Sequence, residues 1–358
     1  MSEALDLPNT SQFNAARWWY RPLAALLALG LCALALEAGA RAFWRIEYQL
    51  SFRRPNHPLF AFYPGLKAVD EAQPRRGDSY YDVLMLGASA LHHSWGEVEP
   101  ALAEQLARAG LRNVRIFNMA APAHTSRDSL LKYAALADSR FDLVMIYDGA
   151  NEVRTNNVPP QMFREDYSHY SWYGFLNVLA PSHGTALFAL PYTLRYERAL
   201  LRQRLAPAQF VPATEVRPEW VEYGREAPSA RAFEHNLTAI LDLAAKRGDP
   251  VMLMTLAVWV PANYSPEAFA AKRLDYGLHR TPIEALGRRE NVVHTLALHN
   301  DVIRRLAARR ANVLFVDQAA LMEGSGRNFD DPFHLTIAGS MAFVDHVLDV
   351  LRPYLPHR

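Results

Sequence analysis

The chain has 358 residues, half of them hydrophobic, and a formal net charge of +1, the make-up of a globular protein able to bury a large core. Lys and Arg are nearly balanced by Asp and Glu and no basic block stands out, which argues against nucleic acid as a partner. The single cysteine, Cys32, excludes an intrachain disulfide and a zinc site built on cysteines.

The first recognisable element is an unbroken apolar run, Pro22 to Leu36, preceded by Trp18, Trp19 and Tyr20 and followed by Trp44. As a helix its fifteen residues reach ~22 Å, short of a ~30 Å hydrocarbon core unless Arg21, Glu37 and Arg41 snorkel and the flanking rings sit at the interfaces. The run reads as a transmembrane signal anchor over 22–44 behind an N-terminal tail, 1–21. A cleaved signal peptide ending at Ala38-Gly39-Ala40 and a buried helix of a soluble domain are the alternatives. Arg17 and Arg21 lie before the run, and Arg41, Arg45, Arg53 and Arg54 after it, so charge counting alone would place the C-terminal part inside. Residues 45–79 carry Pro55, Pro58, Pro64, Pro74 and Gly77 and predict a tether.

From residue 80 to 355 the pattern is that of one domain. Five apolar runs predict parallel strands covered on both faces: Val83–Leu86, Val114–Phe117, Leu143–Tyr147, Val251–Leu256 and Val313–Val316. Helical periodicity lies between them, at Phe233 to Ala244 closed by Gly248, at Val292 to Leu306, and at Ile337 to Leu351. Strand alternating with helix predicts an α/β fold, a three-layer α/β/α sandwich on a central five-stranded parallel sheet, with the apolar N-terminal helix added. Two insertions rich in aromatic residues, 153–229 and 257–289, follow strand C-termini and read as walls or lids of a cleft, or as apolar clusters that pack onto the sheet.

Four short islands carry the chemistry: Gly87-Ala88-Ser89, Asn118 to Ala123, Gly149-Ala150-Asn151-Glu152, and Asp331-Pro332-Phe333-His334. A serine hydroxyl needs a positioned base to take its proton as it attacks a carbonyl. His334 fits the base, and Asp331 is close enough in a tight loop to fix its tautomer, with Asp330 the substitute if the loop register shifts. The Asn151 amide and the N–H groups of Ser89 and Ala123 could hold the oxyanion.

These blocks resemble those of the SGNH or GDSL-type serine hydrolases: Tyr81 to Ser89 is similar to the first, Ile116 to Ser126 to the second, Val144 to Glu152 to the third and Asp331 to Thr336 to the last. The resemblance spans roughly residues 80–350 and implies a flavodoxin-like fold, an ester hydrolase mechanism with catalytic Ser89, Asp331 and His334, and an oxyanion hole of Ser89, Ala123 and Asn151. It also implies no cofactor and, by likeness to anchored members, a catalytic domain outside the cytoplasm. The family's Gly-Asp-Ser reads Gly-Ala-Ser here, and the oxyanion glycine falls on Ala123, with Ala120 the other match. A position requiring φ > 0 would be strained there by the alanine Cβ.

Other strings weigh less. His92, His93 and His124 cluster in sequence without a carboxylate pair at ligand spacing, so no metal site is expected. Ser129-Leu130-Leu131-Lys132 matches a Ser-x-x-Lys string but lacks its partner motifs. The resulting expectation is a membrane-attached serine esterase acting on an acetyl or short acyl ester of a small molecule, carbohydrate or envelope polymer. An O-acyltransferase with the same triad, and a non-catalytic carbohydrate-binding or assembly protein that keeps the fold, are the alternatives.

Overall fold

The computed structural model describes residues 11–53, 58–111, 113–180, 188–212 and 216–355, with side chains from Tyr20 onward. The readings placed on the side chains of Arg17, Trp18 and Trp19, and on Arg54 and Pro55, lie outside the described residues. Five strands, β1 (Tyr81–Gly87), β2 (Val114–Asn118), β3 (Leu143–Tyr147), β4 (Val251–Met254) and β5 (Val313–Val316), form one parallel sheet in the order β2-β1-β3-β4-β5. Each coincides with an apolar run. Their side chains alternate between two cores: Val83 and Met85 of β1 enter one, Leu84 and Leu86 the other. A strand covered on both faces has no polar side to alternate with, so its sequence is continuously apolar.

The α-helices are, in chain order, α1 (Ser11–Tyr48), α2 (Gly65–Ala72), α3 (Val98–Arg108), α4 (Ser126–Ala135), α5 (Glu152–Thr155), α6 (Ser171–Leu179), α7 (Leu190–Leu205), α8 (Ser229–Arg247), α9 (Pro266–Ala270), α10 (Arg289–Ala308), α11 (Gln318–Leu321) and α12 (Ile337–Leu351). Through Leu102 and Leu106, and through Phe343 and Val347, α3 and α12 cover one face; α4, α8 and the second half of α10 cover the other. Gly248 ends α8 in the left-handed conformation, φ 77°, its N–H returning to the Ala244 carbonyl.

The N-terminal helix changes character along its length. From Tyr20 to Leu36 its side chains are exposed and, apart from Arg21, overwhelmingly apolar, whereas Ala40 and Trp44 are buried in the domain. Trp44 Nε1 donates to Thr193 Oγ1 at 2.8 Å, and its ring lies 5.3 Å from Tyr192 and 5.5 Å from Tyr196. The Glu37 carboxylate accepts the N–H groups of Ala189 and Leu190, 2.7 and 2.9 Å, at the start of α7, and pairs with Arg41 at 2.6 Å. Such an anion on the unpaired amides of a helix start is stabilising.

The tether expected over 45–79 is corrected. A 3-10 turn, Pro58–Ala61, and α2 bury Leu59, Tyr63, Leu66 and Val69 in the same core as Leu84 and Val144. Prolines here punctuate short packed elements. In the first aromatic insertion Tyr167, Tyr170 and Tyr173 form a small cluster with Val158 and Val211, while Tyr192 and Tyr196 close on Trp44; the second both packs, with Tyr264 and Tyr276 in the core of Val83 and Met85, and lines a cleft through Gly277, Leu278 and Arg280.

Candidate active site

The loops after β1, β2 and β3, and the loop entering α12, meet at the C-terminal edge of the sheet. Gly87 ends β1 where an added Cβ would stand 2.7 Å from the Tyr147 carbonyl oxygen of β3, so the strand ends approach more closely than any larger residue permits. Two residues on, Ser89 opens a 3-10 turn, Ser89–Leu91. Its Oγ lies 2.8 Å from His334 Nε2. His334 Nδ1 faces both oxygens of Asp331, at 2.9 and 2.8 Å. Asp331 is wholly buried and compensated by three backbone donors: Phe333 and His334 to Oδ1, at 2.9 and 3.0 Å, and Thr281 to Oδ2 at 3.1 Å. A carboxylate so held orients the Nδ1–H tautomer and leaves Nε2 free to accept from the serine.

Asp330 contributes backbone only, its N–H donating to the His334 carbonyl at 2.8 Å, so Asp331 is the acid in contact with the imidazole. Trp95, which no motif singles out, stacks on the His334 ring with centroids 4.3 Å apart and planes at 26°. An indole face beside the imidazole limits its rotation. The Arg280 guanidinium lies over the Trp95 ring, 5.5 Å from its centroid.

Asn151 stands at the start of α5. Its Nδ2 donates to the His124 carbonyl at 2.8 Å, and its Oδ1 accepts from Arg154 Nη2 at 2.9 Å, which fixes the amide orientation and leaves a second N–H on Nδ2. Gly149, φ 130°, occupies a conformation open only to glycine. The Gly149 carbonyl takes a 2.8 Å hydrogen bond from His299 Nδ1, whose Nε2 faces Ser229 Oγ at 3.0 Å; burial lowers the His299 pKa to about 4, so the ring stays neutral. Ala123 has φ 65°, the left-handed conformation in which its Cβ is strained, and its N–H has no acceptor among the described residues. The Ala120 N–H is occupied by Asn118 Oδ1 at 3.0 Å, which separates the two alanines that the sequence leaves open.

Behind this edge lies a buried polar cluster. Asp128, in a capping box with Thr125, accepts from Tyr63 at 2.7 Å, Trp172 at 2.9 Å and Tyr173 at 2.5 Å. Burial pushes its carboxyl up, but the charges of His124 and Lys132 and the Trp172 and Tyr173 donors outweigh this and hold it at about 2. Lys132 Nζ donates to the Met119 carbonyl and His124 Nδ1, both at 2.6 Å, and burial lowers its pKa to about 8. Lys132 thus braces both ends of the Met119–His124 loop that carries Ala123. Ser129 donates to Asp148 at 2.6 Å, which accounts for the other half of the Ser-x-x-Lys string. His92 and His93 lie ring against ring, 4.0 Å apart, and His92 Nδ1 contacts Ser94 Oγ at 2.7 Å.

Asp148 and Glu152 are fully buried neighbours; burial and mutual repulsion raise Glu152 from 4.5 to about 8. The folded chain therefore holds a proton that the unfolded chain gives up between about pH 4.5 and 8, so this group stabilises the fold below that window and its contribution is lost as pH rises through it. In thermal melts between about pH 5 and pH 8 the unmodified chain should lose at least ~2 °C of Tm relative to Glu152→Gln, over and above the opposite trend set by buried neutral histidines such as His299. An unchanged slope would mean the carboxyl is ionised throughout.

No family model and no curated protein matches the sequence. Among solved structures, an alpha/beta hydrolase enzyme from the metagenome of Lake Arreo, Spain, aligns at 14% identity over 77% of this chain and 97% of its own, TM-score 0.42. A GDSL-like lipase from Bacteroides thetaiotaomicron aligns at 12% identity over 82% and 100%, TM-score 0.42. A variant of an acetyl xylan esterase from Geobacillus stearothermophilus aligns at 14% identity over 80% and 99%, TM-score 0.41. Likeness at this level carries no argument about activity, which rests on the site itself.

Proposed function

We propose that the chain is an SGNH-type serine hydrolase that cleaves oxygen esters through an acyl-enzyme. The observation that carries this reading is the continuous hydrogen-bonded line Asp331–His334–Ser89, drawn from opposite ends of the sequence. Ser89 Oγ attacks the ester carbonyl as His334 Nε2 takes its proton; the developing oxyanion is met by the free Asn151 N–H and the Ser89 and Ala123 N–H groups. His334 returns the proton to the departing alcohol, and water, activated in the same way, releases the acid. No step requires a metal or cofactor.

An acetyl or short acyl group on a carbohydrate is the proposed substrate class. A cleft of about 480 Å³ lies beside Trp95, the ring stacked on His334, and combines the polar groups of Ser94, Arg280, Asp330 and Thr336 with the apolar side chains of Leu278, Leu335 and Ile337; the polar groups support a sugar alcohol as the leaving group. Full-length protein should turn over p-nitrophenyl acetate and should carry a fluorophosphonate adduct on Ser89 by mass spectrometry. Absence of both would favour a binding protein that keeps the fold. Supplying a glycan acceptor with the acyl donor separates hydrolysis from transfer by product analysis.

Ala123→Gly is expected to keep turnover within ~3-fold, because the N–H donor survives, and to leave Tm nearly unchanged, because relief of ~1 kcal/mol of left-handed strain is matched by unfolded-chain entropy. A loss beyond ~10-fold would assign the role to the methyl group rather than the N–H.

The N-terminal helix is proposed to remain as a membrane anchor with the catalytic domain outside the cytoplasm. Cleavage after Ala40 would remove Glu37 from the start of α7, whereas retention keeps a joint that is fully packed. Protease accessibility in spheroplasts tests the orientation.

A further inference from the structure

We propose that α7 is an interfacial helix that lays its exposed face on an anionic phospholipid surface; this rests on the anchored reading of α1. One side of α7 buries Tyr192, Tyr196 and Ala199. The opposite side carries Leu194, Leu201 and Leu205, exposed at 61, 54 and 76%. At 100° per residue these three fall within one narrow stripe, with Arg198 on the same line, Arg195 and Arg202 along one flank, and Glu197 and Arg204 along the other. Leucines in the centre, arginines at the sides and a single acid among them are the arrangement by which a helix beds into the boundary between acyl chains and negatively charged headgroups.

Two further observations select lipid as the occupant. First, the joint with α1 sets the position: Glu37, immediately after the exposed apolar stretch Tyr20–Leu36, caps the first turn of α7, so that turn is held beside the level at which α1 leaves the hydrocarbon. Second, a groove of about 880 Å³ runs along α7, with Arg164, Arg195, Arg198 and Arg202 around it and Val178 and Phe210 among its apolar lining. Guanidinium groups over an apolar floor complement a phosphate headgroup and the root of its acyl chain.

The lone cysteine makes the test direct. Full-length protein labelled with bimane at Cys32, and Cys32→Ala protein labelled at Leu201→Cys or at the exposed control Leu321→Cys, is reconstituted in vesicles of phosphatidylcholine and phosphatidylglycerol with brominated acyl chains. Quenching of roughly twofold or more is expected at positions 32 and 201 and not at 321. Replacing Arg195, Arg198 and Arg202 by Gln, or omitting phosphatidylglycerol, should reduce quenching at 201 alone. An unquenched label at 201 with a quenched label at 32 would overturn the proposal and leave the anchor intact; an unquenched label at 32 would remove the anchor and the proposal together. Ester turnover of each variant reports that it is folded.

Discussion

Ser89→Ala is expected to lower kcat for p-nitrophenyl acetate by on the order of 10⁴-fold or more and to abolish the fluorophosphonate adduct. Among the described residues the hydroxyl is the one group hydrogen-bonded to His334 Nε2, at 2.8 Å, and it sits half-buried at the start of a 3-10 turn, so truncation leaves no core cavity and Tm should hold. His334→Ala should fall to a similar level, and the double variant no further, because attack and proton transfer are one event. Residual turnover above about one-tenth of the unmodified chain would sink the covalent mechanism.

Asn151→Ala should lower kcat by ~100- to 1000-fold with little change in KM, the signature of a donor that bonds the oxygen only as charge develops on it. Its amide also donates to the His124 carbonyl and accepts from Arg154, so the alanine variant alone could lose activity through a shifted loop. Asn151→Asp keeps an oxygen for Arg154 and removes every side-chain N–H, and it should be as impaired as the alanine variant. Recovery of activity in the aspartate variant would assign Asn151 to holding Arg154 rather than to the oxyanion.

The sheet was readable from the sequence because its strands are buried on both faces: Leu143–Tyr147 and Val313–Val316 coincide with the observed strands to the residue. The contacts of His334 with Asp331 and Ser89 were readable because Asp331 and His334 lie three apart in one loop and Ser89 follows an apolar strand. What escaped depends on contacts between distant segments. Asp128 gathers donors from residues 63, 172 and 173, and Trp95 meets His334 across the whole fold; no local spacing announces either. The tether reading failed for a different reason. Pro58, Pro64 and Pro74 suggest a linker, yet Leu59, Tyr63, Leu66 and Val69 recur every three or four residues, and that fainter periodicity is the one the fold obeys. The aromatic insertions were open to two readings: burial of Tyr167, Tyr170 and Tyr173 decides for packing in the first, while the second also lines a cleft through Leu278 and Arg280.

Because Trp44 is sealed among the rings of Tyr48, Phe62, Tyr192 and Tyr196, α1 enters the domain as a strut and not as a leash. Under the anchored reading proposed above, a bilayer around its outer half would give Ser89 a constant height and tilt. If the ester is carried on a polymer, the distance from the lipid at which esters disappear should then be narrow, and lengthening α1 by whole turns should move it outward in steps of ~5.4 Å.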